Sequence, residues 1–316
     1  MLPFAAVVLA LALALAEGAA RAADDFAYQR SYTSVPGQVV LDTRPLDECR
    51  QQTLVGARCL PPSEFLGPGR RLPNERDLLW LLGTARLTGN EDVLVVGQDA
   101  TARDFVAGLL YWAGQRQVRV LTDPMARVLR HTKVTAPGQE RDFARTVVFE
   151  APMRDEVVVL KHELMALRPR LLDGRSAPEY WGETVRSARG GHIPGALSLP
   201  AAELPLAADG GKDAVADYLA RGNWVAYAHD AYEGLAYLTR LRAGLGAAVR
   251  LYLGGWAEWA ADGALPADAV TYPEPIMTRP AATQQTPAAG VPVPMTLALV
   301  LAAVAAGWWL HRWRMA

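Results

Sequence analysis

The two cysteines, Cys49 and Cys59, and the stretch Ala228-His229-Asp230-Ala231-Tyr232-Glu233-Gly234 are where chemistry would first be sought. The stretch follows four strand-forming residues, Trp224-Val225-Ala226-Tyr227, and runs into a helical pattern from Tyr232 to Ala243. A strand entering a helix through a tight turn gathers unpaired N–H groups and the positive end of the helix dipole, so it cradles an anion. The same cradle lowers a cysteine's pKa and makes it a nucleophile. This turn contains no cysteine. His229 beside Asp230 could make an acid–base pair, but it reads as an exposed polar loop histidine. Asp230 with Glu233 three residues on resembles a capping box, and Thr101 with Asp104 does the same earlier in the chain. Cys49 and Cys59 fit a structural disulfide, two buried thiols, or a redox or sulfur-carrying pair. No Cys/His spacing is of the metal-ligand kind, so neither a metal nor a cofactor is expected.

The elements that position these residues recur twice. In the first half, Gln38 to Asp42 reads as a strand ending in an acid, Asn74 to Leu87 as a helix, Asp92 to Val96 as a strand, Thr101 to Trp112 as a helix and Val118 to Leu121 as a strand. Asp24 to Gly37 reads as an irregular lead-in. The second half repeats the order with strands at Arg170 to Asp173, Trp224 to Tyr227 and Val249 to Tyr252. Asp42-x-Arg44 answers Asp173-x-Arg175, and Gly56-Ala57-x-x-x-Pro61 answers Gly195-Ala196-x-x-x-Pro200. This is an internal duplication. Alternating strands and helices argue for a parallel α/β sheet in each half, with sites at the carboxyl ends of strands. Asp42, Gly97, Asp173 and Ala228 fall there. Asp173 with Arg175, and Asp42 with Arg44, are expected to pair and hold the loops; His192 is expected to be structural.

Composition bounds the rest. The chain has 316 residues, 51% of them hydrophobic, and a formal net charge of −1. That balance argues against nucleic acid as a partner. Residues 1–22 have the layout of a secretory signal peptide ending in Ala20-Arg21-Ala22, with an uncleaved anchor as the alternative. Residues 294–310 are apolar and long enough to span a bilayer; Trp308, Trp309 and Trp313 form an interfacial belt, and a basic tail follows at 311–316. A cytoplasmic tail puts the body outside the cytoplasm, and bacterial periplasm is the preferred compartment. A lipid-anchor signal is the alternative for this end. The domain plan is therefore 23–122, a connector at 123–169, a second domain at 170–263, a Pro-rich stalk at 264–293, and the membrane helix.

Three motifs then carry a resemblance. Leu171-Leu172-Asp173-Gly174-Arg175-Ser176-x-x-Glu179-Tyr180-x-Gly182, Gly191-His192-Ile193-Pro194-Gly195-Ala196, and Val249-Arg250-Leu251-Tyr252-Leu253-Gly254-Gly255-Trp256-x-x-Trp259 together resemble a rhodanese domain. The first half resembles a degenerate copy, so the chain is similar to the tandem-rhodanese sulfurtransferases from about Val39 to Gly263. The resemblance implies two rhodanese-like α/β domains, each a mainly parallel sheet flanked by helices. It also implies a catalytic cysteine heading a loop of the type Cys-x-x-Gly-x-Arg, which would carry sulfur as a persulfide. Here the cysteine position is Ala228, the glycine position Ala231 and the arginine position Glu233. In the first half the cysteine position is Gly97, followed by Gln98-Asp99-Ala100-Thr101-Ala102. Cys49 matches Tyr180 and Cys59 matches Ser198, so neither is a displaced nucleophile. The expected function is binding, of a protein partner at the membrane; thiol chemistry by Cys49 and Cys59, or anion sensing by the old pocket, are the alternatives.

Overall fold

The computed structural model describes residues 25–204 and 214–269. The segments read as signal peptide (1–22), as membrane helix (294–310) and as tail (311–316), and all of the stalk beyond residue 269, lie outside them. No helix among the described residues is long and apolar enough to cross a membrane.

In chain order the elements are β1 (Phe26–Gln29), β2 (Val39–Asp42), α1 (Leu46–Gln51), β3 (Thr53–Leu54), β4 (Arg58–Cys59), α2 (Glu75–Thr84), β5 (Asp92–Val96), α3 (Ala100–Trp112), β6 (Gln117–Leu121), α4 (Met125–His131) and β7 (Thr135–Ala136). The second half follows with β8 (Val158–Val159), α5 (Lys161–Leu167), β9 (Arg170–Asp173), α6 (Ala177–Tyr180), β10 (Leu197–Ser198), α7 (Ala214–Leu219), β11 (Trp224–Tyr227), α8 (Ala231–Thr239), β12 (Arg250–Tyr252) and α9 (Gly255–Ala261). A π-helical turn, Arg240–Gly244, extends α8.

Two five-stranded sheets result, in the orders β1-β6-β5-β2-β4 and β8-β12-β11-β9-β10. Every pairing in them is parallel, and β3 pairs β7 antiparallel alongside. Read in sequence order within each half, the two sheets have the same topology. Their central strands, Val-rich β5 and the four residues of β11, are buried along almost their whole length, as strands covered by helices on both faces must be.

Two segments depart from the sequence expectation. The lead-in contributes β1, an edge strand beside β6, and the connector contributes β8, an edge strand beside β12. Each is four residues or fewer, too short to show a period. The alternation at Phe26 and Tyr28, both buried, is visible only once β6 is beside it.

The halves share one core. Its largest cluster runs from Phe26 through Phe105 to Leu251. Helices α3 and α8 meet at its centre, so closely that a Cβ on Gly108 would lie 2.3 Å from the Leu235 carbonyl oxygen. Thr239 Oγ1 donates to the Asp104 carbonyl at 2.7 Å across the same contact. Asp104, fully buried, accepts from Arg103 at 2.8 Å on one oxygen and from Arg240 Nε at 3.2 Å on the other. A buried carboxylate is tolerable only with such partners.

Candidate functional site

Strand register brings the motif loops together. Tyr227, the last residue of β11, lies beside Asp173, the last of β9; in the other sheet Asp42 lies beside Val96. The loops leaving these ends face each other across the junction of the two halves. Between them is a cleft of about 400 Å³, walled by Gly174 and Ser176 from the β9 loop, Ala228 and Glu233 from the β11 loop, and Asp99 and Thr101 from the start of α3. A second cleft of about 510 Å³ is lined by Arg44, Glu48, Gln98 and Ala102 and shares Asp99 and Tyr232 with the first.

The Asp-x-Arg motifs hold the loops. Arg175 donates to Asp173 at 3.0 and 2.5 Å and to the Gly191 carbonyl at 2.8 Å; both side chains are buried. Arg44 repeats this with Asp42 at 2.6 Å and the Gln52 carbonyl at 2.6 Å. Thr53 Oγ1 donates to the same aspartate. Each guanidinium thereby ties a strand end to the loop beyond it. His192 is structural in the same sense: it is buried, stacked 3.6 Å from the Tyr180 ring, with Nδ1 2.9 Å from the Tyr180 carbonyl oxygen.

The β11 loop is fastened from behind. The carbonyls of Ala228 and His229 accept the Trp256 and Ala257 N–H groups at 2.8 Å each, at the start of α9. Gly255 makes room for this with φ +61°; a Cβ there would lie 2.7 Å from the Ala228 oxygen. On the front, Asp230 Oδ1 accepts the Glu233 N–H at 3.0 Å and so caps α8. The return half of the expected capping box is missing, because the Glu233 carboxylate turns outward. It receives both terminal nitrogens of Arg186, each at 2.8 Å, and Arg70 at 3.4 Å. Arg70 also pairs with Asp230 at 2.8 Å and lies over the Tyr232 ring, 5.1 Å from its centroid. Arg186 continues to Glu179 at 2.7 Å, whose other oxygen accepts the Ser176 hydroxyl.

These contacts set the ionisation. Burial disfavours charge on Glu233, but Arg186, and beyond it His229 and Arg70, outweigh that and hold its carboxyl below the ordinary range. Glu179 is likewise lowered by Arg186 and Ser176 against its burial. The Tyr232 hydroxyl is pushed up to about 12 by burial and by Asp99.

His229 contradicts the expectation of an exposed loop residue. It is 8% exposed, and its Nδ1 is buried with no hydrogen-bond partner among the described residues. Burial first, then the positive charge of Arg186, pushes its pKa down. The ring is therefore neutral at pH 7 and makes no acid–base pair with Asp230, whose carboxylate goes to the α8 cap and Arg70.

The first-half loop is closed sterically. A Cβ on Gly97 would sit 2.3 Å from Thr43 Oγ1 and 3.3 Å from the Arg103 Cβ. Gln98 accepts the Ala126 N–H, and Asp99 caps α3 through the Ala102 N–H at 2.7 Å. Thr101 and Asp104 make no capping box: α3 begins one residue earlier, at Ala100, and Asp104 is drawn inward by Arg103 and Arg240.

Cys49 and Cys59 form a disulfide joining α1 to β4. Both are buried, at 0% and 1% exposure, and Gly138 packs so closely that a Cβ would meet both sulfurs within 2.6 Å. At the matching place in the second half, the Tyr180 hydroxyl donates to the Ala196 carbonyl at 2.7 Å. Sequence reasoning missed Arg70, Arg186 and Arg240. All three come from segments with no period or motif at those positions; the acid-rich loop they face was the available signal.

Residues 156–262 match the rhodanese-like domain family. Among solved structures, a probable thiosulfate sulfurtransferase is similar at 26% identity and TM-score 0.54, covering 75% of this chain and 100% of that one. YnjE is similar at 18% identity and TM-score 0.63, covering 75% of this chain and 64% of its own. Wild-type EanB is similar at 20% identity and TM-score 0.60, covering 77% and 66%. The chain thus spans about two thirds of the length of YnjE and EanB. No curated protein matches.

Proposed function

We propose that the chain is a tandem rhodanese-like protein that has lost sulfur-transfer chemistry and acts by binding at the cleft between its halves. One observation carries this reading. Where the rhodanese resemblance puts a nucleophilic thiol there is a methyl group at Ala228 and bare backbone at Gly97, and both cysteines of the chain are consumed in a buried disulfide. Persulfide chemistry needs a thiolate. Glu233, at the position of the family's arginine, further replaces the cation that family offers to a sulfur oxyanion with a carboxylate paired to Arg186.

The rest of the proposal concerns setting. The protein is held at the bacterial inner membrane by residues 294–310, with the folded halves on the periplasmic side and the C-terminus in the cytoplasm, and it serves a protein partner there. The leader-like residues 1–22, the basic tip and a disulfide suited to an oxidising compartment support it. The full chain incubated with thiosulfate and cyanide is expected to form no thiocyanate above the uncatalysed rate. Turnover sensitive to the integrity of the β11 loop would sink the proposal.

A further inference from the structure

We propose that the face built by α2 and the extended segment 143–149 docks on the surface of a lipid bilayer. This is a second surface, outside the cleft, and it rests on the reading that places the chain at a membrane. Between the two elements is a groove of about 530 Å³, walled by Leu79 and Trp80 on one side and by Val147, Val148 and Phe149 on the other. Trp80 is 53% exposed, Phe143 63% and Val148 72%. The Trp80 and Phe143 rings lie 5.9 Å apart, so the apolar surface is continuous from the groove to Phe143.

The backbone holds these side chains outward. The N–H groups of Asp142, Val147 and Glu150 donate to the carbonyls of Thr84, Gly83 and Thr88 at 2.9, 3.2 and 2.9 Å, which pins the segment against the end of α2. A side chain at Gly83 would collide with the Val147 carbonyl oxygen. Phe149 turns into the core and Val148 to solvent, as alternate residues of an extended chain do. Withdrawing Val148 from solvent would cost those backbone bonds. Contiguous exposed apolar surface of this kind marks a contact with lipid or protein.

Charge and chain length select lipid. In and beside the groove, Arg76, Arg141 and Arg145 are set against Glu64, Glu75, Asp142 and Glu150, too even a balance to single out a strongly charged partner. A nearly neutral apolar face with a tryptophan suits the headgroup boundary of a bilayer. There the indole N–H stays wet, and arginine stems lie along the apolar surface with their heads in water. The chain itself brings a bilayer close. Residues 270–293 connect the described fold to the apolar run at 294–310, and about 24 residues reach at most about 80 Å. A tether of that length keeps lipid at an effective concentration that a freely diffusing protein or second copy does not match.

The test uses the full chain in vesicles of phosphatidylcholine, alone or with phosphatidylglycerol. Both native cysteines are in the disulfide, so Val148→Cys supplies a single thiol for an environment-sensitive fluorophore, and Arg130→Cys supplies the control. Arg130 is exposed on α4, which packs on the opposite face of the first sheet from α2. The label at 148 should shift to the blue and be quenched by nitroxide lipids in both vesicle types and at high salt; the label at 130 should do neither. Phe143→Asp should weaken docking about tenfold, the worth of burying an exposed phenyl ring. No quenching at 148, or equal quenching at both sites, would overturn the proposal. So would a shift that needs other membrane proteins, which identifies a protein partner, or one that grows with the protein-to-lipid ratio, which identifies a second copy. Retention of the chain in the vesicles after an alkaline wash reads the anchor separately: a chain that washes out removes the membrane-anchor reading, while the labels still decide the docking.

Discussion

Removing the disulfide tests whether Cys49 and Cys59 are a staple or a working couple. The bond closes a loop with a sequence separation of 10, for which the loss of unfolded-chain entropy is worth about 2.7 kcal/mol. Both sulfurs are buried beneath Gly138, so Cys49→Ala/Cys59→Ala also loses some packing and should destabilise by about 3 kcal/mol. In a urea titration this appears as a fall in midpoint of roughly 1 M for a slope of about 3 kcal/mol/M. In the native protein, reduction must wait for an opening that exposes the sulfurs. A mild dithiol should therefore leave the bond intact in buffer and open it promptly in urea, as read by thiol titration. A redox couple behaves otherwise: it is reduced quickly in the folded state, and its loss leaves the urea midpoint nearly unchanged. That pair of results would refute the staple and restore thiol chemistry as the working hypothesis.

Two further outcomes are expected. Gly108→Ala drives a methyl to within 2.3 Å of the Leu235 carbonyl oxygen and 2.8 Å of Thr239 Oγ1, so it should cost about 1–3 kcal/mol of stability; a variant as stable as the parent in thermal unfolding means that α3 and α8 are not in this close contact. His229, whose folded pKa is lowered by burial and by Arg186 against the pull of Glu233, Asp230 and Glu179, contributes stability that is present above its unfolded pKa of about 6.5 and is lost as pH falls below it, because the unfolded chain then takes up the proton more readily. Urea midpoints should fall between about pH 7 and 5.5 and fall less in His229→Gln; equal slopes for the two proteins would discard the assignment.

The sequence made the sheets legible wherever a run of buried apolar residues ended in a motif. Val39–Asp42, Asp92–Val96, Arg170–Asp173 and Trp224–Tyr227 lie where the pattern puts them, because central strands of a parallel sheet must be apolar throughout. The Asp-x-Arg ties were legible too, since an acid at a strand end and an arginine two residues on can close a short loop by themselves. Strands β1 and β8 were not, because an edge strand of a few residues is specified by its neighbour more than by its own sequence. His229 was misread for a related reason. It stands beside Asp230 in a loop, yet the residue is 8% exposed in the fold, and one polar neighbour in sequence says nothing about burial. Arg70 and Arg186 were invisible because long flexible side chains choose partners in space, and Glu233 lies 163 and 47 residues away from them.

The two loops differ in what crowds them, and the difference bears on what each can do. Gly97 is packed against Thr43 Oγ1 so tightly that no side chain fits; the first-half loop has become part of the core and cannot accept a ligand at that point without moving β2's exit. Ala228 still faces a cleft, and what crowds that cleft is charge rather than atoms, with Glu233 held by Arg186 and approached by Arg70. Ion pairs that are a quarter to two-fifths exposed exchange partners at low cost, whereas close packing does not. The first half still supplies part of the wall at the second loop, through Asp99 and Thr101, so that cleft is built by both halves together.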